Sequence, residues 1–277
     1  MLVDINELLP RAREHKCAVG AYVFLNLDMM QGILQAAEET HTPVILLYPG
    51  GPYLMDKLDV FGPAMVAAAE KASVPVCLHL DHGPSFEYVV QCVEAGFKSV
   101  MIDASVLPFE ENLALTKKVV EYCHPKGVTV EGEIGHVGEG SDYNLKTYQY
   151  TDVDEAVRYV NETGIDCLAV AIGNAHGQYV EEPKINFEVL EKIEKAISIP
   201  LVMHGGSGIS DADFKEAIKH GIAKVNIFTE NVVAAAEKFK ALPEKDLNPI
   251  NTMYKTEEAF KEHTIEKIEL FETAKWN

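Results

Sequence analysis

Along the 277 residues, short apolar runs alternate with longer stretches in which apolar positions recur every three or four residues. Runs at 18–24, 43–48, 74–80, 99–103, 128–134, 167–172, 201–204 and 224–228 have strand length. Most are apolar nearly throughout, as strands covered on both faces are. The stretches between and after them, 28–40, 60–72, 85–95, 108–123, 153–163, 186–197, 211–220 and 230–240, carry the helical period. Ser85 and Asp152 stand where helix N-caps belong, and Gly96, Gly164 and Gly221 stand where helices end. The strings EAGFKSVMI, ETGIDCLAV and KHGIAKVNI repeat one short turn from helix to strand. Eight such alternations predict a (β/α)8 TIM barrel in a single domain over 1–277. An open doubly wound sheet is disfavoured because no G-x-G-x-x-G follows the first run. Two stretches break the rhythm. The loop at 135–149 is polar and glycine-rich, a composition common in mobile lids, and the tail at 251–277 reads as an extra C-terminal helix. Its apolar positions are Phe260, Ile265, Ile268 and Phe271, placed to pack on the barrel or on a partner subunit.

Composition then narrows the function. Lys and Arg number 24 against 43 Asp and Glu, a formal charge of −19. So acidic a surface repels phosphate backbones and anionic lipid, so neither nucleic acid nor membrane is expected as a partner. A small anion stays open, because backbone N–H groups bind phosphate without net positive charge. Five scattered cysteines with no C-x-x-C pair fit reduced, mostly buried thiols. With no signal-peptide core and no run of membrane-spanning length, a cytoplasmic location is expected.

The chemistry-bearing residues gather at the ends of the apolar runs. His82, His176 and His204 each follow one, and three neutral imidazoles around a cation leave a position open for water or substrate. A barrel would bring these run ends to one face. Asp81 ends the third run beside His82, in a string that is also good turn chemistry. His79 shares its strand face and reads as a hydrogen-bonded core histidine. His204 opens H-G-G-S-G, where Gly205, Gly206 and Gly208 allow close approach and Ser207 adds a hydroxyl, the makings of a phosphate nest. Asn226 and Thr229 can complete it, although Thr229 can equally cap a helix. Glu131 and Glu133 lie two apart on the fifth run, and acidic groups inside a barrel need a partner or a cation. Asp103 ends the fourth. His15, His41, His124, His220 and His263 fall outside the runs and read as solvated, Lys224 reads as a solvated strand end, and His136 in the loop is undecided.

Taken in order, L-H-L-D-H-G, M-I-D-A-S, V-E-G-E-I-G-H-V-G, H-G-x-Y, H-G-G-S-G-I and K-V-N-I-x-T resemble the class II, metal-dependent fructose- and tagatose-bisphosphate aldolases, from about residue 18 to 240. The resemblance implies that His82, His176 and His204 bind one catalytic Zn2+, with Glu133 and Asp103 as alternative or second-site ligands for a further divalent or monovalent cation. It implies that Asp81 exchanges a proton with the hydroxyl at the carbon–carbon bond, and that Gly177, Gly205, Gly206, Ser207, Asn226 and Thr229 hold dihydroxyacetone phosphate. The implied reaction is reversible cleavage of a ketose 1-phosphate or ketose bisphosphate through a metal-stabilised enediolate, in a homodimer or homotetramer.

The chain departs from the family pattern at Val23, where an asparagine is usual, at Tyr48, where a small polar residue is usual before Pro49-Gly50-Gly51, and at Phe228. Ser141 stands at the position of the loop's proton-donating glutamate, and Glu139 is the nearby substitute. Only Arg11, Arg13 and Arg158 are present, which favours a ketose 1-phosphate with a distal end that is polar, deoxy or acidic. A metal-dependent isomerase or epimerase, a non-catalytic sugar-phosphate-binding barrel and a structural subunit remain the alternatives.

Overall fold

The computed structural model describes residues 1–50 and 57–277. Gly51, in the sequence after the second run, lies outside the described residues. Eight parallel strands close into a barrel: β2 (Val19–Val23), β3 (Val44–Pro49), β4 (Val76–Gly83), β5 (Ser99–Ile102), β6 (Thr129–Ile134), β7 (Cys167–Val170), β8 (Leu201–Met203) and β9 (Ile222–Ile227). Closure comes from β9 pairing with β2, Asn226 opposite Ala21. A two-residue strand β1 (Leu2–Val3) pairs with Val76 and Cys77 at the start of β4, below the point where β5 joins at His79. It is too short to show a sequence period.

Around the barrel run α2 (Leu27–Thr40), α3 (Leu58–Lys71), α4 (Phe86–Glu94), α5 (Phe109–Cys123), α6 (Val153–Thr163), α7 (Phe187–Ala196), α8 (Asp211–Lys219) and α9 (Thr229–Lys240). Ser85 and Asp152 accept first-turn N–H groups, as the sequence predicts, and Gly96, Gly164 and Gly221 take positive φ. The tail forms α10 (Pro249–Leu270), longer than expected at its start, and lies against α2 and α9 with Phe260, Ile268 and Phe271 buried. Among the described residues no helix is long and apolar enough to cross a membrane.

Strand alternation divides the interior in two. Outward residues such as Tyr22, Leu46 and Leu78 pack beneath the helices. Inward residues include Ala21, Ile45, Leu47, Cys77, Cys167, Ala169 and Val202, and a plug of Ile5, Leu8, Leu9 and Ala12, partly from α1 (Leu9–Glu14), joins them. The alanines and cysteines among them leave room for a charged layer. All five cysteines are buried and unbridged.

Candidate active site

At the carboxyl ends of the strands, His82, His176 and His204 offer ligand atoms that all lie within 4.8 Å of one another. Each ring is fixed through its other nitrogen. His82 Nδ1 is 2.8 Å from Asp103 Oδ2, and Asp103 is itself held by the Ser105 hydroxyl and N–H. His176 Nδ1 donates to the Val137 carbonyl at 3.0 Å. His204 Nε2 is 2.8 Å from Glu131 Oε1. The ring nitrogens left over include His176 Nε2 and His204 Nδ1, both buried without a hydrogen-bond partner. Native interiors rarely leave such atoms bare, and hydrogen-bond partners on the far ring nitrogen orient imidazoles toward a cation. The donor set fits a divalent ion of the zinc type. His82 also takes a left-handed backbone, φ 50°, a conformation uncommon for a residue with a side chain and kept where the site requires it.

Glu133 Oε2 lies 3.1 Å from His204 Nδ1 with no hydrogen bond between them, so this carboxylate faces the same centre. Burial by itself would lower the pKa of His204, but its two glutamate partners raise it to about 10. Burial and the neighbouring imidazoles bring His176 down to about 4. Asp81, although desolvated, is held below the usual carboxylate range by the positive charge of His82, His204 and Lys224. Its Oδ1 accepts the Asn226 amide at 3.0 Å.

Beneath this layer sits a second one. Lys224 is wholly buried and donates to Glu131 Oε2 at 2.8 Å, while His79 Nε2 stands 3.7 Å from the same oxygen and its Nδ1 meets the Ser99 hydroxyl. The expectation of a solvated Lys224 is therefore wrong. The sequence held the signal: Lys224 and Asn226 share the inward face of β9 by the period of two. His79 is the hydrogen-bonded core histidine that was expected. His15, His41 and His124 are exposed, but His220 and His263 are half-buried, so they are not simply solvated; His263 bonds Asn231 Oδ1 at 2.5 Å.

Asp81, His82 and His176 line a cavity of about 240 Å³ together with Gly177, Gly205, Gly206, Ser207, Asn226 and Thr229. Gly205 has φ 61°, and a β-carbon there would fall 2.0 Å from the Ala175 carbonyl oxygen, so no other residue fits. The α9 N-terminus opens here with no side-chain cap, which sets aside the capping reading of Thr229. Ser207 instead accepts the Glu230 N–H at 3.3 Å. Uncapped N–H groups at a helix start make a ready anion site.

The 135–149 loop is tied down. His176 N–H donates to the Gly138 carbonyl at 2.8 Å and Gly140 N–H to the His176 carbonyl at 2.6 Å, a parallel bridge. The Tyr148 hydroxyl donates to the Asn174 carbonyl, and Tyr143 packs edge-on against Tyr179. These tyrosine braces carried no recognisable sequence signal. Glu139 lines the groove with His82, Asp103, His136, His176 and Thr229, and its Oε2 lies 3.6 Å from where a β-carbon on Gly177 would be. Ser141 is exposed and does not line this groove. Tyr48 is buried beneath the helices against Phe24 and Phe97 rather than in the cavity.

The family model for class II fructose-bisphosphate aldolase matches residues 3–275. The chain belongs to the class II fructose-bisphosphate aldolase family. Relatives agree over nearly the full length of both partners. The chain is 43% identical over 284 residues to a fructose-bisphosphate aldolase of Staphylococcus aureus, covering 99% of this chain and 98% of that one. It is 44% identical over 273 residues to YdjI of Escherichia coli K12, an uncharacterized protein by that name, with 98% of each covered. The crystal structure of the YdjI aldolase superposes with a TM-score of 0.89 at 42% identity, over 98% of this chain and 97% of that one.

Proposed function

We propose that the protein is a zinc-dependent aldolase that reversibly cleaves a ketose 1-phosphate or ketose bisphosphate to dihydroxyacetone phosphate and an aldehyde. The observation that carries this reading is the convergence of three oriented imidazoles, two of which line one cavity with a buried carboxylate and a glycine-lined anion cradle, in a chain of this family. His82, His176 and His204 would hold the cation. When bound, it supplies Lewis-acid stabilisation of the negative charge that grows on the ketose oxygens.

The protein's own groups account for the rest. Backbone N–H groups around Gly177, Ser207 and Thr229, with the α9 dipole, hold the phosphate and fix the carbon chain over Asp81. Asp81, kept ionised by the charge of His82, His204 and Lys224 and oriented by Asn226, takes the proton of the hydroxyl on the carbon that leaves as aldehyde. Glu139 is the loop carboxylate placed to return a proton to the carbon left behind. Asp103 is engaged by His82 and supports that ligand, whereas Glu133 keeps an unpartnered oxygen for a cation.

Two variants test the division of labour. Asp81→Ala should retain zinc and lose cleavage by about 10²-fold or more. His204→Ala should lose metal and cleavage together, read by metal analysis and product assay. Near-native turnover in Asp81→Ala would contradict the mechanism.

A further inference from the structure

The walls of the catalytic cavity differ on its two sides. Gly177, Gly205 and Ser207 with the α9 N-terminus form the anion cradle. Beside Asp81 the lining is hydrocarbon: Val23 and Leu25 at the end of β2, Pro49 at the end of β3 opposite Asp81 in the strand register, and Phe228 after β9. All three arginines are committed elsewhere. Arg11 donates to the Asn277 carbonyl and stacks on Trp276. Arg13 donates to the Ser198 and Ile199 carbonyls ahead of β8, and Arg158 pairs with Glu110 and Glu162 on the outer helices. Lys224 is taken by Glu131 inside the barrel.

Among the described residues, no lysine or arginine lines this cavity or the two grooves that share its walls, whereas Glu139, Glu181, Glu182 and Glu230 do. Residues 51–56 read Gly-Pro-Tyr-Leu-Met-Asp and so bring no cation either. One phosphate is satisfied by backbone N–H groups. A second anion at the far end of the substrate would meet hydrocarbon, with none of the charge-assisted donors that offset its desolvation.

We propose that the aldehyde half of the substrate is uncharged: the protein acts on a ketose 1-phosphate whose distal end bears neither phosphate nor carboxylate. This rests on the aldolase reading above. In the cleavage, the C3–C4 bond breaks and the C4 hydroxyl proton passes to Asp81. The electron pair stays with C3, which then takes a proton, giving dihydroxyacetone phosphate and the free aldehyde. The apolar wall acts as a filter on that aldehyde.

The test uses the zinc-loaded full chain. Aldol addition of dihydroxyacetone phosphate is measured with D-glyceraldehyde, L-lactaldehyde and D-glyceraldehyde 3-phosphate. Deuterium exchange into dihydroxyacetone phosphate, which needs no aldehyde, is followed alongside. At least one uncharged aldehyde should exceed the phosphorylated one by roughly tenfold or more in kcat/KM. Exchange without that preference overturns the proposal and leaves the aldolase reading standing. Absent exchange with zinc bound overturns both.

Discussion

Glu131 joins the two buried layers, since one of its oxygens fixes His204 and the other neutralises Lys224. Removing its charge leaves an ammonium without a partner inside the barrel, so Glu131→Gln should lower stability by about 3–5 kcal/mol in urea unfolding. Adding Lys224→Met removes the stranded charge and should recover much of that loss. The ligand support is not recovered, and zinc affinity in the double variant should stay about 10–100-fold below wild type in competition with a chromophoric chelator. Equal stability of the single and double variants would contradict the pairing. Lys224 was misread from sequence because a lysine in an apolar run looks like its boundary; β9 in fact begins two residues earlier, at Ile222.

At the scale of elements, α10 is seated by a close crossing with α2. A β-carbon on Gly32 would lie 2.4 Å from the Glu257 carbonyl oxygen and 3.0 Å from Phe260 Cβ. Alanine is the better helix former by about 1 kcal/mol, yet this contact makes Gly32→Ala destabilising by about 1–3 kcal/mol in thermal or urea unfolding. A stabilised variant would contradict the crossing. The strand and helix order was legible because parallel strands buried on both faces give apolar runs, and caps such as Ser85 mark the helix starts. β1 was not legible, because two residues cannot show a period. The site was legible as a set of residues at run ends. What stayed hidden were the contacts that depend on which strands meet, Asp103 on His82 and Glu131 on His204, whereas Glu139, which lines the groove, is named from the sequence as the substitute for Ser141. Tyr48 faces outward because β3 alternates, which a family comparison of one position does not reveal.

For the whole molecule, the proposed ligand set links cation uptake to proton release. His204 sits between two glutamates and holds its proton to about pH 10 in the cation-free protein. A cation must displace that proton, so apparent zinc affinity should fall by about tenfold per unit as pH drops below that value, as chelator competition would show. A pH-independent affinity would mean His204 is not a ligand. The barrel itself is held by its packed strands and helices, so a chelator should remove activity and leave the far-ultraviolet circular dichroism intact. The most direct measurement is proton exchange: dihydroxyacetone phosphate is incubated with the zinc-loaded protein in D2O, with and without chelator, and its hydroxymethylene protons are followed by NMR. Loss of one proton that stops with chelator, and stops again in Glu139→Gln, is the expected result. No exchange with zinc bound, or exchange indifferent to chelator, would contradict metal-dependent aldol chemistry at this site.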